Sequence, residues 1–522
     1  MKQVLQNLKN GQTILAEIPA PKNTKGNILI SSSVSLISAG TEKMLIDFGK
    51  SGYLEKARKQ PDKVKQVFDK IKSDGLLPTL DAVTSKLNQP LPLGYCNVGK
   101  VLESSERQFS KGDRVVSNGP HAEIVRVPKN LCAKIPDNVD DETASFTVLG
   151  AIALQSIRLA NPSLGEIFVV SGLGSVGLLS VQILLANGCR VIGIDFNADR
   201  CDLAKSFGAE VVNLSNGEDP ESFVNKFTNS NGVDGVIIAA SSSSDEIIHS
   251  AANMCRKRAR IILVGVVGLN LRRDDFFEKE ITFQVSFSYG PGRNEKTYEE
   301  NGIDYPLGFV RWTEQRNFEA VLNLMSSGKL NVKPLITNTF SIKEAVGAYE
   351  TILDANTSSI GVLLKYHSAN SVDIKNTIDL PKPVRKNYGL DTDINVGFLG
   401  AGNYASRVLI PIFTKHKVLM NTLVTSGGIN SYFHGSKNGF ANASTDEKSV
   451  MQNDEINTVV IATRHDNHAK QISMALNKNK NVFVEKPLAI NRQQILEIEK
   501  AYTANTKNIL MVGFNRRFAP HI

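Results

Sequence analysis

Two glycine-rich turns, each placed between a hydrophobic strand pattern and a hydrophobic helix pattern, constrain the fold of this chain more than any other feature. The first spans residues 172–177 and the second residues 400–405. Glycine is needed in such a turn because the backbone bends sharply and approaches an anionic group closely, which a Cβ atom would prevent. The helix that follows directs its N-terminal N–H groups at the anion. Each turn therefore predicts the start of a parallel, dinucleotide-binding α/β domain.

The first turn is supported by the next strand pattern, residues 190–194, which ends in Asp195. A carboxylate placed roughly 20 residues after the turn accepts hydrogen bonds from both adenosine ribose hydroxyls and repels a 2′-phosphate. We therefore predict NAD as the cofactor of the first site. The predicted cofactor-binding residues of that site are Gly172, Gly174, Val176, Gly177 and Asp195.

The second turn keeps Gly400 and Gly402 and has alanine at the third glycine position, which this turn tolerates. The strand after it ends in Ser-Gly-Gly at residues 426–428, so no acidic residue is available for the ribose. Two alternatives stay open. The site accepts NADP, with His434 or Lys437 near the phosphate, or cofactor binding has weakened and the turn is structural. The predicted cofactor here is NAD or NADP.

The 522 residues favour about three domains, at roughly 100–200 residues each. Short β-branched runs up to about residue 136 predict a β-rich domain, and alternating strand and helix patterns after residue 141 predict doubly wound parallel sheets. The predicted fold class is α/β, with a β-rich domain and two Rossmann-type domains. The expected boundaries are 1–145 with a helical insertion at about 43–89 and completion by about 290–366, then 146–289, a linker at 367–391, and 392–522.

The net charge of +8 is mild for this length. Basic residues concentrate at positions 56–72, where they alternate with acidic and apolar residues as in a solvated helix, so nucleic acid is not an expected partner. No apolar run reaches the ~20 residues needed to cross a bilayer, and the N-terminus lacks a signal-peptide core. Five unpaired cysteines fit a reducing cytoplasm. The expected partner is a small-molecule substrate, and the oligomeric state is left open, a homo-oligomer being one option.

Residues 1 to about 366 resemble the medium-chain alcohol dehydrogenase superfamily. The resemblance is carried by motifs in the expected order, at residues 112–115, 135–137, 172–177, 191–195, 328–330 and 334–336. It implies a GroES-like substrate domain that is discontinuous in sequence. The chain departs from the zinc-dependent members because Ser38 stands at the first ligand position and Tyr95 and Cys96 at the next pair. Zinc needs three or four suitable ligands, so no zinc is expected.

Without a metal, a protein side chain must supply or accept the proton. Tyr95, Cys96 and His121 lie in segments that face the cofactor in the superfamily. Tyr95 is the predicted catalytic residue of the first module. A packing role remains the alternative for each of the three.

From about residue 393 to the end, the chain resembles the N-terminal domain of the glucose-fructose oxidoreductase and inositol dehydrogenase (Gfo/Idh/MocA) family. The resemblance is carried by the second turn, by residues 462–468 and by the Glu-Lys-Pro run at 485–487. It implies that Lys486 lies near the nicotinamide and the substrate hydroxyl and assists proton movement, and it makes His468 a second catalytic candidate. The implied cofactor-binding residues are Gly400, Gly402, Asn403, Tyr404, Thr463, His465, Glu485, Lys486 and Pro487.

Taken whole, the chain resembles two-domain fused oxidoreductases associated with bacterial surface-polysaccharide and sugar metabolism. This predicts hydride transfer at a hydroxyl or carbonyl of a sugar, polyol or nucleotide-activated sugar. The alternative is a catalytically degenerate nucleotide-binding or regulatory protein. The Gly-Pro-Gly-Arg run at residues 290–293 is either a contact for an anionic group or a plain turn. In relatives, residues 513–518 lie at the junction with a substrate-binding sheet domain, so we expect a longer protein.

Overall fold

The computed structural model describes residues 1–52, 87–354, 357–367, 374–381, 394–416 and 418–519. The basic stretch at 56–72 and most of the predicted helical insertion lie outside these residues. Across the described ranges, no helix combines the length and the apolar character needed to cross a membrane.

The N-terminal part forms a small three-stranded sheet and the body of a seven-stranded, mainly antiparallel sheet. Its strands are β1 (Lys2–Gln6), β2 (Thr13–Glu17), β3 (Asn27–Ile37), β4 (Leu91–Pro92), β5 (Asn97–Ser104), β6 (Arg114–Ser117), β7 (Ile124–Pro128) and β8 (Cys132–Lys134). The long strand β3 pairs with both β5 and β7. Helix α1 (Ala39–Lys50) begins directly after β3, so it carries the motif residues that follow Ser38 to the edge of the sheet.

The next part is a six-stranded parallel sheet in the order β11-β10-β9-β12-β13-β14. Its strands are β9 (Ile167–Ser171), β10 (Arg190–Asp195), β11 (Glu210–Asn213), β12 (Val233–Ile238), β13 (Cys255–Leu263) and β14 (Thr282–Val285). Its helices are α2 (Asp141–Ala144), α3 (Thr147–Ala160), α4 (Ser175–Ala186), α5 (Ala198–Ser206), α6 (Pro220–Phe227), α7 (Glu246–Met254) and α8 (Arg273–Phe277). Neighbouring strand residues alternate between two cores: Phe168 and Val170 join one and Val169 the other. Both faces of the sheet are therefore covered.

The chain then returns to the β-rich sheet. This segment contains α9 (Lys296–Glu299), α10 (Glu314–Ser326), β15 (Ile336–Ser341), α11 (Ala345–Leu353) and β16 (Gly361–Lys365). Strand β16 pairs antiparallel with β3, with Leu363 opposite Leu36. One hydrophobic core contains Leu36 and Cys96 of the β-rich sheet together with Leu149 and Leu173 of the parallel-sheet part. The two parts of the first module thus share a core.

The last part is a seven-stranded sheet in the order β17-β20-β19-β18-β21-β22-β23. Its strands are β17 (Thr377–Asp379), β18 (Asn395–Leu399), β19 (Leu419–Val424), β20 (Asn442–Ser444), β21 (Thr458–Ile461), β22 (Asn481–Glu485) and β23 (Leu510–Gly513). Its helices are α12 (Ile410–Lys415), preceded by a π-helical turn at Ala405–Leu409, α13 (Ile429–Asn438), α14 (Lys448–Met451), α15 (His468–Leu476) and α16 (Arg492–Thr503). All pairings except that of β17 are parallel. The predicted α/β class with two doubly wound parallel sheets is confirmed.

The structure differs from the expected linker at residues 377–379. These residues form the edge strand β17, with Ile378 opposite Ala443. Leu380, just after the strand, is buried in the same core as Phe440. A run of three residues is too short to show a period in the sequence, so its structure comes from pairing and packing against a distant part of the chain.

Candidate functional site

The first candidate site lies at the carboxyl end of β9, where the strand order reverses between β9 and β12. Gly172 has a φ of +91°, and a Cβ on Gly177 would lie 1.9 Å from the Gly172 carbonyl oxygen. A Cβ on Gly174, in contrast, would meet no described atom within 4 Å. Open space therefore lies over the N-terminus of α4, whose second residue is Val176. This cradle fits the pyrophosphate of a dinucleotide.

Asp195, the last residue of β10, is held at the rim of this turn. Its Oδ2 accepts a hydrogen bond from the Leu173 N–H (2.7 Å), and its Oδ1 accepts one from the Asn197 N–H (2.9 Å). Each carboxylate oxygen has a second lone pair available for a ribose hydroxyl. At the carboxyl end of the edge strand β14, Ser286 Oγ is buried and has no hydrogen-bond partner among the described residues. An unpaired polar atom there also fits a polar ligand.

Tyr95 lies on the β-rich domain, just after β4. Its hydroxyl donates a hydrogen bond to Ser38 Oγ (2.7 Å), and Thr41 Oγ1 lies 3.2 Å away. Burial raises the pKa of the Tyr95 phenol well above its ordinary value, so the group stays protonated at neutral pH. Tyr95 packs against the core that includes Leu173 of the glycine turn. The structure thus brings three hydroxyl groups together on the β-rich domain, on the core that this domain shares with the parallel sheet.

Behind Tyr95 lies a buried hydrogen-bonded cluster that the sequence analysis missed. Glu42 Oε1 accepts a hydrogen bond from the Ser38 N–H (2.9 Å), and Glu42 Oε2 accepts one from the Tyr349 hydroxyl. His121 Nε2 lies 3.3 Å from Glu42 Oε2, and His121 Nδ1 lies 2.7 Å from Ser35 Oγ. Glu42 was visible within the motif after β3, but its partner Tyr349 comes from the returning segment. No local pattern in the sequence indicates that pairing.

His121 and Cys96, the other two proton-donor candidates of the first module, are both completely buried. Both ring nitrogens of His121 face partners inside the protein, and burial raises the pKa of the Cys96 thiol well above its usual range. Of the three candidates, only Tyr95 reaches solvent. The position of His121 and Cys96 is that of packed core residues.

The side chains at the zinc-ligand positions do not fit a zinc ion. Ser38 and Tyr95 are neutral hydroxyl groups that bond to each other, whereas zinc prefers thiolate, imidazole or carboxylate ligands. Cys96 supplies one sulfur at most. Throughout the described part of the chain, no group of three or more His, Cys, Asp or Glu side chains is arranged to hold a metal ion.

The second glycine turn follows β18 and repeats the geometry of the first. Gly400 has a φ of +99°, and a Cβ on it would lie 2.4 Å from the Ala462 carbonyl oxygen. A Cβ on Gly402 would meet nothing within 4 Å in the described structure, so a cradle is open here too. Asn403 and Tyr404 are exposed beside it, and the Tyr404 hydroxyl accepts a hydrogen bond from Asn515 Nδ2 (3.1 Å).

The other predicted residues of the second site gather at the same sheet edge. Glu485 ends β22, and its buried Oε1 has no partner among the described atoms. Burial raises the pKa of the Glu485 carboxyl. Lys486 is exposed, and its ammonium forms no ion pair with another described residue. Thr463, after β21, donates through its hydroxyl to Gln471 Oε1 (2.6 Å), and His465 is exposed.

The position of His468 corrects its predicted catalytic role. Its side chain is completely buried, with Nδ1 2.8 Å from the Pro487 carbonyl oxygen and Nε2 3.3 Å from the Thr463 carbonyl oxygen. A group enclosed by backbone in this way cannot touch a substrate. His468 instead ties together the loops after β21 and β22, one of which contains the cis Lys486–Pro487 peptide bond. It is a positioning residue.

His434, one of the two residues considered for a cofactor phosphate, is also excluded by its position. It is buried on α13, and burial together with Lys437 lowers its pKa to about 4. The imidazole is therefore neutral at physiological pH and cannot pair with a phosphate through charge. Lys437 is exposed on the same helix.

A further buried carboxyl group lies in the returning segment. Glu314, at the start of α10, is fully buried, and neither carboxyl oxygen has a hydrogen-bond partner within the described ranges. Burial, followed by the nearby Glu299, raises the pKa of Glu314 to about 9. The carboxyl group is therefore protonated in the folded protein at neutral pH.

This placement predicts a pH-dependent stability effect. The folded-state pKa of Glu314 exceeds its unfolded value, so the folded protein keeps a proton that the unfolded chain releases, and stability falls as pH rises from about 4.5 to about 9. Glu314→Gln should raise the free energy of unfolding by on the order of 2 kcal/mol at pH 8 and little at pH 5. Thermal melts at both pH values measure this. Glu350→Gln, at an exposed site, is the control, and an equal effect of Glu314→Gln at both pH values would contradict the prediction.

Two family models match this chain. Residues 175–302 match the model described as "Zinc-binding dehydrogenase", and residues 394–514 match the model described as "Oxidoreductase family, NAD-binding Rossmann fold". The matches fall on the two parallel sheets described above, and they support a nicotinamide cofactor.

Curated relatives match about half of this chain. The chain is 28% identical over 243 residues to D-xylulose reductase A of Aspergillus oryzae, covering 45% of this chain and 60% of that protein. It is 29% identical over 273 residues to D-guloside 3-dehydrogenase of Escherichia coli, covering 50% of this chain and 73% of that protein. The chain thus spans less than two thirds of the length of the first relative.

Solved structures show the same fold. An alcohol dehydrogenase from Thermus sp. ATN1 matches with a TM-score of 0.53 at 21% identity, covering 70% of this chain and 100% of that one. Galactitol-1-phosphate dehydrogenase from Escherichia coli matches with a TM-score of 0.54 at 18% identity over the same shares. The fold and the two glycine-rich turns define a protein with two dinucleotide-binding Rossmann domains. More particularly, the first Rossmann domain is similar to that of zinc-binding dehydrogenases and the second to that of the Gfo/Idh/MocA oxidoreductases, as the sequence motifs predicted.

Proposed function

We propose that this protein is an NAD(P)-dependent oxidoreductase that transfers hydride at a hydroxyl or carbonyl group of a sugar, polyol or nucleotide-activated sugar, without catalytic zinc. The observation that carries the proposal is the open glycine cradle with Asp195 at its rim, in a module whose β-rich domain holds the hydrogen-bonded Tyr95, Ser38 and Thr41 hydroxyls on the core shared by its two domains. The similarity to a D-xylulose reductase and a D-guloside 3-dehydrogenase supports a polyol or sugar substrate.

In the first module, Gly172, Gly174 and Gly177 leave room for the pyrophosphate, and Asp195 accepts hydrogen bonds from the adenosine ribose, which favours NAD over NADP. When bound, the nicotinamide cofactor supplies or accepts the hydride. Val176, at the start of α4, lines the same cradle.

Tyr95 handles the proton in this proposal. When its neutral O–H turns from Ser38 to the substrate oxygen, the Ser38 hydroxyl is free to donate to the Tyr95 oxygen in its place, because a hydroxyl both donates and accepts. Glu42 Oε1 accepts a hydrogen bond from the Ser38 backbone N–H and so keeps Ser38 in position. The Thr41 hydroxyl extends this series of hydrogen bonds toward solvent, because Thr41 is exposed.

In the second module, we assign the exposed Lys486 ammonium to the nicotinamide end of a second cofactor site, where it assists proton movement. The residues proposed to bind that cofactor, NAD or NADP, are Gly400, Gly402, Asn403, Tyr404, Thr463, His465, Glu485, Lys486 and Pro487. Glu485 and Pro487 shape the turn that carries Lys486, and His468 holds that turn through the Pro487 carbonyl.

A second candidate function is nucleotide sensing by a catalytically degenerate protein, which the replaced zinc ligands favour. Lys486→Ala discriminates between the two. Loss of turnover with retained cofactor binding supports the enzyme, and unchanged turnover with every substrate argues against catalysis in the second module.

The test is a substrate panel. The purified chain, treated with a metal chelator, is mixed with NAD or NADP and a set of polyols, sugars and sugar nucleotides, and the absorbance of reduced nicotinamide is followed. We expect cofactor reduction with at least one substrate class, unchanged by the chelator. Activity that disappears with the chelator and returns with zinc contradicts the zinc-free mechanism. Cofactor binding without any turnover favours the sensing function.

A further inference from the structure

In the second cofactor site, the strand that follows the glycine turn ends without an acidic residue, because residues 425–428 are Thr-Ser-Gly-Gly. Hydrogen bonds align the two sites, because the Gly172 N–H donates to the Ile194 carbonyl and the Gly400 N–H donates to the Val424 carbonyl. Thr425, which follows Val424, therefore occupies the position that Asp195 has in the first site. Its Oγ1 accepts a hydrogen bond from the Ser431 N–H (3.1 Å). Repulsion of a 2′-phosphate, which Asp195 produces in the first site, is absent from this position among the described residues.

The β-rich domain borders this corner of the second Rossmann domain. The Ala20 N–H donates to the Lys375 carbonyl (2.9 Å), and Ile429 of α13 packs against the β-rich core. Gly428 has a φ of +83°, and a Cβ on it would lie 2.4 Å from the Pro19 carbonyl oxygen. The two backbones therefore approach each other at the loop that follows β19, and glycine is required for this contact.

Two cations of the β-rich domain stand at this contact. Arg126, on β7, donates from Nη1 to the Ser426 carbonyl (3.2 Å) and to the Lys22 carbonyl (3.0 Å). The Lys22 ammonium lies 3.1 Å from Asp446 Oδ1, so it neutralises the carboxylate that follows β20. Ser426 is the residue directly after Thr425. The Arg126 guanidinium thus contacts Ser426, which is adjacent to Thr425. Thr425 occupies the position at which Asp195 distinguishes a ribose hydroxyl from a 2′-phosphate in the first site.

The charge of Arg126 has no acidic counterpart in the structure. The side chain is half-buried, and no carboxylate of the described residues forms an ion pair with it. Burial lowers the pKa of Arg126, yet a guanidinium remains charged at any physiological pH. Its two carbonyl contacts use Nη1 alone, which leaves the Nε and Nη2 hydrogens for another acceptor. A phosphate monoester is the acceptor that such a fork suits best.

We propose that Arg126 binds the 2′-phosphate of NADP in the second cofactor site, so that a side chain of one domain determines the cofactor of another. The assignment rests on the proposed function, namely that the second Rossmann domain binds a nicotinamide dinucleotide. It gives the chain two sites of opposite preference: Asp195 selects NAD in the first, and Arg126 selects NADP in the second.

The experiment uses the full chain with Gly174→Val, which fills the first cradle and leaves the second site alone for measurement. Affinities for NADPH and NADH are obtained from the fluorescence of the reduced nicotinamide. Adding Arg126→Ala should weaken NADPH binding by about 10- to 100-fold and leave NADH within about 2-fold, because a charge-assisted hydrogen bond contributes only to the phosphate complex. Arg126→Lys should retain part of the NADPH affinity. Arg107→Ala, at an exposed site of the same domain, is the matched control and should change neither.

The outcomes distinguish a failure of the Arg126 assignment from a failure of the proposed second cofactor site. If the Gly174→Val chain binds neither cofactor, the second site itself is refuted and the assignment with it. If that chain binds cofactor but Arg126→Ala and Arg126→Lys leave NADPH binding unchanged, or weaken NADPH and NADH equally, only the assignment fails, because Arg126 then serves the domain contact alone.

Discussion

Gly174→Val is expected to abolish NAD binding at the first site, with a loss of at least about 100-fold in affinity, while the melting temperature of the cofactor-free chain stays unchanged. The reason is geometric. A side chain at Gly174 meets no described atom of the protein, but it occupies the space over the N-terminus of α4 where the pyrophosphate must lie. Gly402→Val should do the same to the second site. Thermal shift with NAD and with NADP measures both effects, since a ligand stabilises the folded state by mass action.

The two single variants and the double variant form a complete set. Each single variant should lose one cofactor response, and the double variant should lose both. Gly308→Val makes the same change at another open position, away from both turns, and should alter neither response. A Gly174→Val chain that still shows the NAD response of the parent would place the first cofactor elsewhere.

Tyr95→Phe is expected to lower kcat by about 100- to 10,000-fold in the first module, with the affinity for NAD unchanged. The substitution removes one oxygen that hydrogen-bonds to Ser38 and leaves the ring in its contact with the core. Because the pKa of Tyr95 is raised, the phenol of the parent is neutral through the physiological range, and its ionisation does not limit activity there.

Steady-state kinetics with the best substrate of the panel, together with NAD titration, checks this prediction. Tyr502→Phe, at a partly exposed tyrosine of the second module, serves as the matched control and should leave the first module unaffected. Unchanged kcat in Tyr95→Phe would mean that the proton is transferred by another group, and the Ser38 and Thr41 hydroxyls would then be the next positions to replace.

The candidate site shows which kinds of inference the sequence supports. Gly172, Gly400 and Asp195 could be predicted because the roles proposed for them depend on neighbours close in the chain: a strand before the turn, a helix after it and a second strand. A histidine in a motif, in contrast, gives no information on its burial, and both His468 and His434 are buried in the structure. Each is enclosed by groups that come together only when strands and helices pack.

By itself, the amino-acid sequence determined the α/β class and predicted the two dinucleotide cradles and a site without zinc, because steric limits at glycine, hydrophobic periodicity and ligand chemistry act over short stretches of chain. Only the tertiary structure decided which residues share a site. Glu42 and Tyr349 are 307 positions apart, and Arg126 and Ser426 are 300 apart. Burial and partner identity arise from such long-range contacts, which no local pattern records. They bury Tyr95, which raises the pKa of its phenol, and bring Arg126 of the β-rich domain to Ser426 of the second Rossmann domain.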